Sequence, residues 1–195
     1  RRIISPIKLS ANESALGPSP KAIKAFQKEK EKIFKYPDSD SNSLRNFISK
    51  KFKLDPMARV VDFSFTGLSP ERMGMGPVSA IDQILGRNQL KLDDIDLFEI
   101  NEAFAAQVLS VLKGLEDKKI AKDYGLPKPW GRIPYEKLNV NGGGIAMGHP
   151  VGSSGSRIVV TLSHELKRRK GRYGLASLCV GGGQGGALLI ENLRK

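Results

Sequence analysis

Three short stretches of this chain hold side chains that could do acid–base or nucleophilic chemistry. The longest is Asn141-Gly142-Gly143-Gly144-Ile145-Ala146-Met147-Gly148-His149-Pro150, continued by Val151-Gly152-Ser153-Ser154-Gly155. Glycine at this density lets a backbone approach a ligand closely and adopt positive φ. His149 stands between Gly148 and Pro150, just ahead of a helical pattern. A loop histidine there is a poor core residue and a good proton donor or acceptor. A surface histidine in a turn is the plainer alternative. His164, inside an amphipathic helical pattern, reads as structural.

The next stretch is Cys179-Val180-Gly181-Gly182-Gly183-Gln184-Gly185. A cysteine closing a buried strand is more often a small apolar residue than a nucleophile. This one opens a glycine turn whose free N–H groups could hold an oxyanion. A phosphate loop is the rival reading, but the G-x-x-x-x-G-K-[ST] pattern is missing and a strand follows where a helix should. The remaining stretch, Asn101-Glu102-Ala103-Phe104-Ala105, falls where a strand turns into a helix. Such a step places polar side chains at the C-terminal edge of an α/β sheet. By itself Asn101 reads first as a helix N-cap.

The elements that must position these residues follow from hydrophobic spacing. Residues 20–34 predict a helix with Ser19 as N-cap and Pro20 in its first turn. Residues 43–52 predict a second, with Leu44, Phe47, Ile48 and Phe52 on one face. From Pro56 onward strand and helix patterns alternate. Residues 58–65 read as a strand, and a helix opens at Gly76-Pro77. Residues 95–100 form a strand and 103–115 a helix, with Phe104, Val108, Val111, Leu112 and Leu115 at core spacing. Residues 118–137 read as a long surface loop. Residues 138–140 start a strand, 152–170 form a helix with basic residues in its last turn, and 173–180 and 186–191 form the closing strands. The expected fold class is α/β, a mixed central sheet layered with helices, preceded by a short, mostly helical or irregular N-terminal segment. The division expected is residues 1–55 and residues 56–195.

Composition narrows the function. The 195 residues carry a net charge of +12. The excess sits as scattered helix-surface lysines without interleaved aromatics to stack on bases, so the expectation is no nucleic-acid partner. No apolar run reaches the ~18 residues of a membrane span, and the start has no signal-like apolar region. A cytoplasmic protein is therefore expected. A single cysteine excludes an internal disulfide and a cysteine-cluster metal site within these residues.

Taken together and in this order, the three stretches resemble the C-terminal domain of the thiolase family. The framework stretches Pro56-Met57-Ala58-Arg59-Val60, Met75-Gly76-Pro77-Val78 and Leu92-Asp93-Asp94-Ile95-Asp96 resemble it too. Thiolases transfer an acyl group between an enzyme cysteine, coenzyme A and the α-carbon of an acyl-CoA. The resemblance implies that His149 activates the nucleophile and helps bind a thioester oxygen. It implies that Cys179 exchanges a proton with the substrate α-carbon, aided by a lowered pKa. Asn101 would hold the water of one oxyanion hole, and the Gly181 N–H would serve the other. Ala103, Phe104 and Gly148 would border the substrate. Coenzyme A is a substrate, and neither metal nor other cofactor is implied.

One departure matters. The family's nucleophilic cysteine belongs to a separate N-terminal domain, while the cysteine here is Cys179. The expectation is thus an incomplete or split enzyme, working with a thiolase N-terminal half or as a homo-oligomer. The alternative is a non-catalytic module that binds coenzyme A or pairs with a thiolase-fold subunit. Residues 1–55 resemble something else. Leu9-Ser10-Ala11-Asn12-Glu13-Ser14-Ala15-Leu16-Gly17-Pro18-Ser19-Pro20, Tyr36-Pro37-Asp38 and Ser43-Leu44-Arg45 are similar to the N-terminal arm of histidinol-phosphate aminotransferases, which use pyridoxal phosphate. No large domain with a cofactor lysine accompanies them, so that activity is the least expected. A fusion or truncation product joined near Pro56 accounts for both resemblances.

Overall fold

The amphipathic patterns after Pro56 need a sheet to bury against, and that sheet is present. A computed structural model describes residues 17–32, 34, 38 and 41–193. The chain divides into two units, Arg1–Asp55 and Pro56–Lys195.

In the first unit, helix α1 (Pro20–Glu29) begins as its sequence dictates. Ser19 is extended, and its side chain accepts the Ala22 N–H at 3.2 Å. The helix passes into a 3₁₀ turn over Lys30–Lys32, short of the expected end at Phe34. Helix α2 (Asn42–Phe52) carries its apolar residues on one face as expected, yet neither helix has a buried residue. Residues 9–16 and Tyr36-Pro37, which carry the aminotransferase resemblance, lie outside the described residues.

The second unit holds strands β1 (Ala58–Gly67), β2 (Leu97–Ile100), β3 (Tyr173–Val180) and β4 (Gln184–Asn192), in the order β1-β4-β3-β2. β1–β4 and β3–β4 are antiparallel, and β2–β3 is parallel. Helices cover both faces: α3 (Gly76–Arg87) and α4 (Ala105–Glu116) on one, α7 (Val151–Arg169) on the other. Strand alternation assigns the side chains. Phe98, Leu175 and Leu189 join Ile81, Ile84, Val111 and Leu115 in the larger core. Their neighbours Leu97, Ala176 and Ile190 meet Ile158, Leu162 and Leu166 of α7 in the smaller one. The layered α/β fold is thus the expected one.

Three local expectations differ. Residues 118–137 are not merely a surface loop. Asp117 accepts the Lys119 and Ile120 N–H groups and starts a short helix, α5 (Lys118–Asp123), and Ala121, Leu126 and Ile133 are buried in the larger core. Polar composition hid three apolar anchors with no regular period. Residues 138–140 make a single parallel bridge, Phe98 to Leu138, where a strand was expected. The helix expected from Ala103 starts two residues later, with Phe104 extended at its cap and 63% exposed instead of in the core.

Candidate active site

Parallel pairing brings two of the stretches to one edge. β2 and β3 run side by side, so their C-terminal ends coincide. The Asn101 N–H donates to the Ser177 carbonyl at 2.9 Å, two residues before Cys179. Asn101 is not a helix cap, because α4 begins at Ala105. It is 1% exposed, and neither polar atom of its amide has a partner among the described residues. A buried amide left unsatisfied on both sides is uncommon and marks a place where a ligand or solvent group belongs.

The glycine stretch is fastened to the same edge. Asn139 adopts φ +45°, and its amide mimics a strand neighbour of Ile100, donating to the carbonyl at 2.9 Å and accepting the N–H at 2.8 Å. Glu102 accepts from Asn139 Nδ2 at 2.9 Å and from the Ile145 N–H at 3.1 Å. A Cβ at Gly143 would be 2.4 Å from the Glu102 carboxyl carbon, so a side chain there would push the carboxylate off these two contacts. One turn of helix, α6 (Gly144–Met147), follows, and then Gly148 at φ +85° delivers His149.

His149 is exposed in the turn before α7. Its Nδ1 lies 2.6 Å from Ser154 Oγ, and that hydroxyl donates to the Pro150 carbonyl at 3.2 Å. With its proton committed there, Ser154 accepts from Nδ1–H. The Nε2 lone pair is then free. Arg157 Nη1 donates to the Gly148 carbonyl at 2.7 Å and ties the turn to the second turn of α7. Farther down the helix, buried Glu165 holds Asn141 Nδ2 at 3.1 Å. Hydrogen bonds from Arg168 first, then from Asn141 and Arg169, pull this carboxyl down to about 2.

Cys179 ends the buried part of β3, and burial pushes its thiol up. The lowering expected for a basic thiol is absent because burial penalises the thiolate. In the turn that follows, Gly183 has φ +85°, and a Cβ there would strike the Leu68 carbonyl at 2.2 Å. The Leu68 N–H in turn donates to the Gly183 carbonyl at 2.8 Å. Gly183 is thus explained by packing alone, whereas Gly181 is exposed with open space beside it.

His149 and Cys179 occupy different layers. Alternation along β3 points Cys179 to the same side as Leu175, toward α3, while His149 heads α7 on the opposite face. Both lie toward the same end of their elements, however. Leu162 and Leu166 lie against Gly174 at the start of β3. From there the head of α7 lies about 20 Å up the helix, and Cys179 about 16 Å up the strand.

Beside Glu102 lies an apolar groove of about 290 Å³, lined by Ala105, Leu109, Leu112, Tyr135 and Ile145 among others. A larger cavity, about 580 Å³, is lined by Lys170, Arg172 and Asn192 at the other end of β3, away from these residues. Among the described residues no cluster of His, Cys, Asp or Glu could hold a metal ion. No helix is long and apolar enough to cross a membrane.

Sequence reasoning passed over two residues of this edge. Glu99 was read only as part of a strand, although a carboxylate among Leu97, Phe98 and Ile100 is a signal in itself. Arg157 was lost in the helix pattern.

Comparison with known proteins gives a consistent result. The family model described as thiolase, C-terminal domain, matches residues 54–192. The chain is 49% identical over 140 residues to an acetyl-CoA acetyltransferase of Syntrophomonas wolfei, covering 72% of this chain and 32% of that protein. It is 48% identical over 143 residues to the mitochondrial 3-ketoacyl-CoA thiolase of Mus musculus, covering 73% and 32%. Among solved structures, the Bacillus anthracis acetyl-CoA acetyltransferase is similar with a TM-score of 0.61 at 48% identity, over 74% of this chain and 33% of that one. Human mitochondrial 3-ketoacyl-CoA thiolase in complex with CoA gives 0.60 at 44% identity, over 75% and 33%. The chain therefore spans about a third of the length of these relatives.

Proposed function

The chain belongs to the thiolase family through its C-terminal domain, and we propose that it supplies the acid–base half of a thiolase-type acyl transfer. The reaction is thiolytic cleavage of a 3-ketoacyl-CoA or the reverse Claisen condensation. One observation carries the reading: the parallel β2–β3 pair puts Asn101 and Cys179 at one sheet edge, to which Glu102 pins the glycine loop leading to His149.

In cleavage, the bond between C2 and C3 of the 3-ketoacyl thioester breaks. The acyl fragment passes to a thiolate, and the leaving enolate takes a proton at its α-carbon. Cys179 gives that proton. A thiol kept neutral by burial suits this role, since it arrives protonated. His149 takes the nucleophile's proton through Nε2, with Ser154 holding the ring. Asn101, through a water, and the Gly181 N–H face the two developing oxyanions. Ala103, Phe104 and Gly148 border the acyl-CoA, the apolar groove beside Glu102 being the nearest channel for its stem. The nucleophilic thiol must be supplied from outside these residues, whose one cysteine is Cys179. Coenzyme A enters as substrate, and no other cofactor is required.

The test is complementation. Acetoacetyl-CoA thiolysis is measured for this chain alone and mixed with a second chain carrying the remaining two thirds of a relative. The expected result is turnover in the mixture only, abolished by Cys179→Ala. Turnover by the chain alone, or no turnover in the mixture together with no coenzyme A binding by calorimetry, contradicts the proposal.

A second reading, a pairing module, is favoured by strand β1. Ser64 bonds Gln83 of α3, so Phe63 and Phe65 project from the opposite face, both exposed, with Val60 exposed on the same strand. A second thiolase-fold surface would cover them. Light scattering that shows a monomer at high concentration counts against homo-pairing. A cytoplasmic location belongs to the same proposal and is checked by fractionation; the mouse and human relatives are mitochondrial by name. The aminotransferase resemblance of residues 1–55 is proposed as origin only. A Schiff-base absorption band on adding pyridoxal phosphate would revive it as activity.

A further inference from the structure

Behind the His149 turn lies a charged pair that the acyl-transfer scheme does not use. Glu99 is 3% exposed on the face of β2 that α7 covers, between Leu97 and Asn101. Arg157 of α7 is close enough for its charge to favour the ionised carboxylate, although no hydrogen bond joins the two among the described residues. Arg157 Nη1 holds the Gly148 carbonyl at 2.7 Å, while its Nε and Nη2 are buried with no hydrogen-bond partner among the described residues. A guanidinium with two buried, unsatisfied nitrogens is favoured by a nearby negative charge. The peptide it grips is the one that precedes His149.

We propose that Glu99 and Arg157 are positioning residues for His149, with the Glu99 charge anchoring the guanidinium that sets the Gly148–His149 turn. The inference rests on reading His149 as the acid–base group.

The groups facing Glu99 are few. Burial is the strongest influence on it, pushing the carboxyl up to about 7, followed by repulsion from Glu102. Arg157 opposes both, and Glu165 of α7 repels weakly, its own charge being engaged by Arg168 and Arg169. β3 places Ala176 and Ser177 alongside, and the neighbouring stretch offers Leu138, Asn139 and Val140, none of them ionisable. Glu99 therefore changes charge near neutrality, and the anchor of the His149 turn changes with it. Below that range Arg157 loses its counter-charge; above it the turn is held.

The chain contains two histidines, His149 and His164, which makes the test direct. Imidazole resonances of the 195-residue chain are followed by NMR from pH 5 to pH 9 in the wild type, Glu99→Gln and Arg157→Lys. The expected result is a second inflection near pH 7 in the His149 signals, lost in both variants, with His164 unchanged as the reporter of folding. His149 signals that superimpose in all three proteins would overturn the proposal. Should a variant fail to fold, the wild type decides: a single-step His149 titration overturns the coupling, and a two-step one confined to His149 supports it. Failure of the acid–base reading is separable. It would appear as undiminished thiolysis by a His149→Asn chain in the complementation assay, with the coupling still visible in the wild-type spectra.

Discussion

Helices α2 and α7 are written with the same amphipathic pattern and end up in different circumstances. α2 lines up Leu44, Phe47, Ile48 and Phe52, and all four are exposed, Phe47 at 58%. α7 lines up Ile158, Leu162 and Leu166, and all three are buried against Leu97, Ala176 and Ile190 of the sheet. Spacing specifies a helix and its apolar stripe. It does not supply the surface that covers the stripe, and that surface makes the energetic difference.

The sharpest way to break this contrast is to truncate one apolar side chain on each stripe. Leu166→Ala, on the α7 stripe, is expected to cost about 2–5 kcal/mol by denaturant unfolding. Phe47→Ala is expected to change stability by about 0.5 kcal/mol or less. A large loss from Phe47→Ala would mean that α2 is covered in solution and that the contrast is false.

A finer cut uses the two carboxylates beneath α7. Glu99 lies above its ordinary value, at about 7, because burial penalises its charge. The unfolded chain therefore releases this proton first, and stability falls as pH rises from about 4.5 to about 7. Glu165 lies below, at about 2, so its contribution is complete above about 4.5 and is lost as pH falls toward 2. Glu99→Gln should thus raise stability above pH 7, by at most about 3 kcal/mol, and change little below pH 4.5. Glu165→Gln should remove the acid-side loss. Melting curves between pH 3 and pH 9 check both signs, and a Glu99→Gln chain that is less stable at pH 8 would contradict the burial argument.

The smallest effect returns to the first unit. Ser19→Ala removes the α1 cap and should cost that helix about 1 kcal/mol, read as lost helicity by circular dichroism. The second unit should unfold at an unchanged temperature.

The same contrast marks how far the sequence was legible. Strands and helices with a clear period were placed to within a few residues, α7 and β3 among them. What escaped depended on contacts distant in sequence. Leu126 and Ile133 have no period to reveal their burial. Asn139 is read as one more polar loop residue until it substitutes for a strand beside Ile100. Phe104 fits helical spacing, but the helix begins after it. Of the candidate site, the residue types were legible, while the packing of Gly143 against the Glu102 carboxylate was not. Nor was the raised thiol of Cys179, because it follows from burial that only the fold creates.

Acyl transfer as proposed requires His149 and Cys179 to meet over the edge of the sheet although their layers differ. A nitroxide attached to Cys179, the one thiol in the chain, measures this directly through paramagnetic broadening of the two histidines. His164 lies about 20 Å down α7 from its head. The expected result is that the His149 imidazole signals broaden severely while those of His164 stay sharp. Equal broadening, or a sharp His149, would contradict it.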